Sequence, residues 1–148
     1  MLRRKAPNGF TLIELMIVLA IGSTLLAVAT IYFQKSYQTK EMRLFLEKLE
    51  RDLYYTQRLA LQSESPVYLQ WRDTEHRYVI GSSQWTVYKE VKMPSHVKVV
   101  ASTLPSTQVV YNSRGNISAA GTLLISSEHQ RYKLVFLLGK GRFYLEKL

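Results

Sequence analysis

From Phe10 to Phe33 the chain reads FTLIELMIVLAIGSTLLAVATIYF, and Glu14 is the one residue in that run charged at neutral pH. No other feature constrains the fold so strongly. At about 1.5 Å of rise per residue, such a helix crosses the ~30 Å hydrocarbon core of a bilayer. Arg3, Arg4 and Lys5 precede it with no acid. The positive-inside rule therefore places the first residues in the cytoplasm and those after Phe33 outside. Two ordinary readings fit the run alone. It is a secretory signal peptide cut at Ala27-Val28-Ala29, releasing a soluble domain, or it is a plain anchor. Neither accounts for Glu14, because a carboxylate at membrane depth costs a few kcal/mol and calls for a partner and a role.

Gly9-Phe10-Thr11-Leu12-Ile13-Glu14 sits behind a short basic leader and ahead of an unbroken apolar helix. This combination closely resembles the N-terminal signature of type IV pilins and pseudopilins, the class III signal peptide. The resemblance implies that a prepilin peptidase cuts between Gly9 and Phe10 on the cytoplasmic side, and that the new amine on Phe10 is N-methylated. Cleavage ahead of the apolar run keeps the helix as anchor and later as filament core. The Phe10 amine is then positive and Glu14 negative one turn later. In a filament, Glu14 of one subunit pairs with the Phe10 amine of a neighbour, so both charges are neutralised in an apolar bundle. Such a pair sets register more than it adds net stability. Gly22 and Ser23 lie mid-helix, where small residues permit close helix contact or local melting, or are simply slack.

Beyond Phe33 the helix continues as an amphipathic one. Met42, Phe45, Leu46, Leu49, Leu53, Thr56 and Ala60 fall three and four apart and form one stripe. The opposite face carries Lys40, Glu41, Arg43, Glu47, Lys48, Glu50, Arg51, Asp52 and Arg58, with Glu47 and Arg51 as an i,i+4 pair. One helix is predicted from about Phe10 to about Gln62, ended by Ser63-Glu64-Ser65-Pro66.

After Pro66 the period changes to two. Strands are predicted at 67–71, 77–80, 84–88, 96–100, 108–111, 121–125, 131–137 and 142–145. A turn falls at 73–76, and Gly81-Ser82-Ser83, Asn112 to Asn116 and Gly139-Lys140-Gly141 are further turns. The fold class is α+β: a long N-terminal helix, membrane-spanning in its first half, packed against a C-terminal antiparallel sheet or two-sheet domain. The boundaries are a leader at 1–9, a transmembrane and filament-core helix at 10–33, its amphipathic continuation at 34–65, and an extracytoplasmic β-rich domain at 66–148.

Tyr111-Asn112-Ser113-Arg114-Gly115, then Gly121-Thr122-Leu123, then a strand reaching Gly139-Lys140-Gly141-Arg142-Phe143 adds a second resemblance. It is similar to the C-terminal half of the H-type minor pseudopilins of type II secretion, and of the competence pseudopilins of Gram-positive bacteria. Size, the lack of Cys and the Gly-x-Gly-Arg ending suit the competence group best. The resemblance implies a minor pilin needed for pilus assembly and uptake of transforming DNA. Its alternatives are a type II secretion pseudopilin, or a membrane-anchored module binding DNA or anionic polymer. The implied partners are the other minor and major pilins of the filament, the prepilin peptidase and the cytoplasmic membrane. The implied location is the cell membrane, single-pass and N-terminus inside before processing, then the cell surface on assembly.

No catalytic residue, metal or cofactor is expected. There is no Cys, and His76, His96 and His129 are scattered without metal-ligand spacing. No Gly-x-Ser-x-Gly elbow occurs, and Gly139-Lys140-Gly141 reads as a hairpin turn rather than a phosphate cradle.

Charge brings in a further partner. Lys+Arg number 20 against 11 Asp+Glu, giving a formal +9, of which +4 lies in residues 114–148. Arg114, Arg131, Lys133, Lys140 and Arg142 are interleaved there with Tyr132, Phe143 and Tyr144, and are the candidate DNA-binding residues. Cations can hold phosphates and aromatics can stack bases, giving weak, salt-sensitive contact. Strand alternation offers the plainer alternative of cations to solvent and aromatics to the core.

Overall fold

The computed structural model describes residues 9, 11–82 and 86–148, the side chains of 30–35 excepted. The chain divides into two compact units, Met1–Tyr37 and Gln38–Leu148. One helix, α1 (Leu12–Gln62), runs through both.

In the first unit α1 opens on Thr11, whose Oγ1 accepts the backbone N–H of Glu14 at 3.3 Å. Thr11 thus occupies the N-cap and Glu14 the third helical position, the spacing at which a hydroxyl satisfies an otherwise unpaired N–H. Leu12–Ala29 is long and apolar enough to cross a membrane, and none of it is buried within the protein. The Ser23 and Thr24 hydroxyls donate to the carbonyls of Ala20 (2.9 Å) and Ile21 (2.7 Å), so these polar groups are satisfied inside the apolar segment. The helix stays regular through Gly22.

In the second unit the predicted stripe is the core face. Met42, Phe45, Leu46, Leu49, Leu53, Thr56 and Ala60 are all buried. Asp52 departs from the sequence reading. Periodicity places it on the solvent face, yet it is only 4% exposed. The Glu47–Arg51 pair is also replaced: Glu47 accepts Arg43 Nε at 3.0 Å instead.

The helix ends where Ser63 N and Oγ both donate to the Leu59 carbonyl and Glu64 turns to φ +48°. Among the described residues eight strands follow: β1 (Val67–Arg72), β2 (Arg77–Ser82), β3 (Val87–Lys92), β4 (Lys98–Ala101), β5 (Gln108–Tyr111), β6 (Gly121–Ser126), β7 (Arg131–Phe136) and β8 (Phe143–Lys147). They make two four-stranded sheets, β3-β2-β1-β5 and β4-β6-β7-β8, antiparallel throughout. The chain changes sheet between β3 and β4, again before β5, and again before β6. The helix stripe and the inner faces of both sheets bury one continuous apolar cluster, with Leu69, Ile80, Val99, Val109, Leu123, Ile125, Leu134 and Phe136 among its members.

Several strand boundaries are corrected. The strand expected at 77–80 runs on through Gly81 and Ser82, where a turn is expected, because both pair with β1. The strand expected at 84–88 lies at Val87–Lys92, because Arg77↔Lys92 and Tyr78↔Val91 pairing carries β3 to its far end; Gln84 and Trp85 lie outside the described residues. The strand expected from His96 begins at Lys98, since Val97 N donates to the Pro94 carbonyl at 3.0 Å and closes a turn. The last strand is Phe143–Lys147, with Arg142 in the preceding turn.

Gly141 holds the β7–β8 turn at φ +66°, and a Cβ there would meet Gln57 Nε2, the Gly115 carbonyl and the Tyr111 ring. Gly141→Ala therefore combines an unfavourable left-handed conformation with a steric clash. It is expected to destabilise the domain by about 2 kcal/mol or more, read as a fall in thermal midpoint. A midpoint equal to wild type would show that the turn can open without loss.

Candidate functional site

The sequence singled out two sets of residues. In the first, Gly9 is exposed and Phe10 lies outside the described residues, so the Phe10–Glu14 relation is not displayed. Glu14 is exposed, its backbone is held by the Thr11 cap, and its carboxylate meets no partner among the described residues. A charge in this position needs a countercharge from elsewhere once the segment is in an apolar environment.

The second set is split by the topology. Arg131 opens β7 opposite Ser126, and Lys133 lies two residues on, facing outward beside Glu146 (3.8 Å). Arg114, Lys140 and Arg142 belong to turns at the other end of β7, about 17 Å away along a strand of this length. Gln57 brings those turns together. Its Nε2 donates to the Gly115 carbonyl at 2.8 Å and to the Lys140 carbonyl at 3.0 Å. Asn112 Oδ1 accepts from the N–H groups of Arg114 and Asn116, both at 3.0 Å, and fixes the first turn.

The aromatics interleaved with these cations mostly turn inward. Phe143 packs on Tyr54 (4.9 Å between centroids) and Phe136 (6.1 Å). Tyr132 lies against the core, while Tyr144 is 47% exposed on the outer face. Strand alternation explains both outcomes.

One polar cluster was missed from sequence. Asp52 accepts the Tyr78 hydroxyl and Lys89 Nζ, both at 2.6 Å, tying α1 to β2 and β3. Burial, reinforced by the hydrogen bond to Asp52, pushes the Tyr78 hydroxyl well above the ordinary tyrosine range and keeps it a neutral donor. The cluster joins helix to sheet. The only signal in the sequence was an acid beside a core position, Leu53. Among the described residues no group of His, Asp and Glu is arranged to hold a metal.

A prokaryotic N-terminal methylation motif covers residues 4–30. The model of type II transport protein GspH covers residues 46–139. The chain belongs to the GspH family. Among curated proteins, this GspH-family chain is 27% identical to competence protein ComGD of Bacillus subtilis over 140 residues, 95% of this chain and 94% of ComGD. Two solved structures share its fold. One is the type IV minor pilin FimU of Pseudomonas aeruginosa: TM-score 0.59, 14% identity, covering 74% of this chain and 90% of FimU. The other is the minor pseudopilin EpsH from the type 2 secretion system of Vibrio cholerae: TM-score 0.53, 12% identity, 68% and 92% covered. The fold is therefore pilin-like, and the chain is a minor pilin or pseudopilin, a structural subunit rather than an enzyme. A prepilin-type motif implies processing by the peptidase and assembly with other pilins, and a membrane or pilus location is typical of such chains.

Proposed function

We propose that this chain is a minor pilin of a competence type IV pilus, needed for pilus assembly and for uptake of transforming DNA. The observation that carries the reading is the similarity to the competence protein ComGD, which extends over nearly the full length of both chains. Residues 1–9 are the leader, residues 10–33 the membrane and filament-core helix, residues 34–65 its amphipathic continuation, and residues 66–148 the extracytoplasmic domain. Cleavage between Gly9 and Phe10 and methylation of Phe10 prepare the amine that Glu14 of a neighbouring subunit meets. The chain waits as a single-pass membrane protein, N-terminus inside before processing, and reaches the cell surface within the filament. Its partners are the other minor and major pilins, the prepilin peptidase and, weakly, DNA; of the five basic residues singled out in the sequence, Arg114, Lys140 and Arg142 are the ones proposed to meet it, while Arg131 and Lys133 lie apart from them on β7.

A second reading has one observation of its own. The GspH model matches residues 46–139, and type II secretion uses subunits of this kind. The two readings part in a deletion strain. Loss of the gene is expected to lower transformation frequency by several orders of magnitude, with recovery on complementation and unchanged protein export. Normal transformation with failed export would replace the competence reading by the secretion one.

A further inference from the structure

Arg51, Tyr54, Tyr55 and Arg58 stand at i, i+3, i+4 and i+7 on α1, a spacing that puts them on one side of a helix. They line a shallow depression of about 330 Å³ on the surface of the second unit. Gln57, in the same segment, holds the carbonyls of Gly115 and Lys140, so the turns bearing Arg114, Lys140 and Arg142 flank it. Tyr54 packs against Phe143, the neighbour of Arg142. On the opposite flank Lys89 Nζ lies 5.7 Å over the Tyr55 ring. The turns bearing Arg114, Lys140 and Arg142 therefore lie beside the helix segment that carries Arg51 and Arg58.

Apart from Lys89, the cations on this surface are uncompensated among the described residues. Elsewhere acids are engaged: Glu47 with Arg43, Glu75 and Glu90 with Arg77, Asp52 with Lys89, Glu146 with Lys133. Arg51, Arg58, Arg114, Lys140 and Arg142 have no acid in ion-pair reach among the described residues, and Glu50 and Glu64, which border the segment in sequence, pair with neither helix arginine. Like charges gathered without acids repel one another, and a polyanion relieves that repulsion.

We propose that Arg51 and Arg58, with Arg114, Lys140 and Arg142 drawn around Gln57, form a site for the phosphate backbone of duplex DNA. The inference rests on the competence reading for the nature of the anion. Charge spacing favours a backbone over an acidic protein patch. The two arginines stand about 10 Å apart along the helix axis, and the others lie on separate turns. A duplex presents a charge about every 1.7 Å of its axis, so it can meet all of them without matched positions. The rings favour backbone contact over base stacking, because Tyr54 leans on Phe143 and Tyr55 carries Lys89. Arg131 and Lys133, at the far end of β7, fall outside the site.

The test uses the full chain in detergent micelles and a short labelled duplex of arbitrary sequence, titrated between about 50 and 200 mM salt. Wild type is expected to bind with a log–log salt slope of about −4.5. The doubly substituted Arg51→Gln/Arg58→Gln protein is expected to bind about tenfold more weakly, with a slope shallower by about 2, while Arg131→Gln/Lys133→Gln stays near wild type. Both arginines are exposed on the helix, and thermal melting of the variants checks that the fold is kept. No duplex binding by wild type would overturn the site. So would unchanged binding by the helix variant, or binding confined to single strands and lost in Tyr54→Leu. Helix variants that bind DNA normally yet lose other pilins would assign the face to subunit contact and overturn the site as well. DNA binding by a chain dispensable for transformation supports the site and removes the competence reading, so the two fail separately.

Discussion

Glu14→Ala is expected to leave processing and membrane insertion intact while abolishing entry of the chain into complexes with other pilins. The substitution makes the segment more apolar, so insertion is not impaired. Gly9 and the basic leader are untouched, so the peptidase still meets its site. What disappears is the carboxylate proposed to neutralise the methylated Phe10 amine of a neighbour. Removing one partner of a buried pair leaves the other uncompensated, at a cost of about 3–5 kcal/mol. That corresponds to about two to three and a half decades in association. Recovery of partner pilins with the tagged chain is therefore expected to fall by at least about a hundredfold, and transformation with it. Intact mass separates the steps: both proteins should begin at Phe10 and carry one added methyl. Normal co-purification of Glu14→Ala with its partners would remove the assembly role. An N-terminus at Thr30 would go further, since the whole helix would then be discarded as a signal peptide.

Asp52→Ala should be the most damaging single change in the sheet-bearing unit outside its apolar residues. It leaves the Tyr78 hydroxyl buried without its acceptor and Lys89 without its counterion. Lys89 is 39% exposed and recovers much of its hydration, so the larger loss falls on Tyr78 and on the space vacated beside it. The expected cost is about 2–4 kcal/mol, a fall in thermal midpoint of about 10 °C or more for a unit of this size. Asp52→Asn keeps an acceptor for the hydroxyl and should cost less. Tyr78→Phe removes the donor and should make a second loss of the acceptor much less harmful, so the double variant should be less than additive. A midpoint for Asp52→Ala within a degree or two of wild type would show that the cluster contributes no net stability. Partner binding by Asp52→Ala, measured well below its midpoint, is expected to persist, because the cluster faces inward.

Legibility from sequence varied with the range of the interaction. The helix was readable because its signals are local: the apolar run, the stripe from Met42 to Ala60, and the Ser-Glu-Ser-Pro ending. Strand centres were readable for the same reason, through alternation in segments such as Val67–Trp71 and Arg131–Phe136. The errors have a common cause. β3 lies later than its own residues suggest, because its extent is fixed by Arg77↔Lys92 pairing. Asp52 was read as surface because helix periodicity places it at the edge of the stripe, where only the sheet laid over it decides its burial. The basic residues of the C-terminal third looked like one patch because they are close in sequence. An antiparallel β7 sends Arg131 and Lys133 to one end and the turn bearing Lys140 and Arg142 to the other.

The sequence by itself determined that an apolar helix with one carboxylate leads into an amphipathic helix and a strand-rich domain, and it carried the motif by which the family is recognised. These follow from hydropathy, periodicity and short fixed spacings, all of which act between residues near in the chain. Only the tertiary structure decided which strands share a sheet, with three changes of sheet between β3 and β6, and which polar side chain the packing buries. It also decided which cations meet. Gln57 reaches carbonyls that follow it far along the chain, and that contact holds the turns bearing Arg114, Lys140 and Arg142 against the helix. Such meetings depend on how the core closes, a property of all the packed faces together that no single segment encodes.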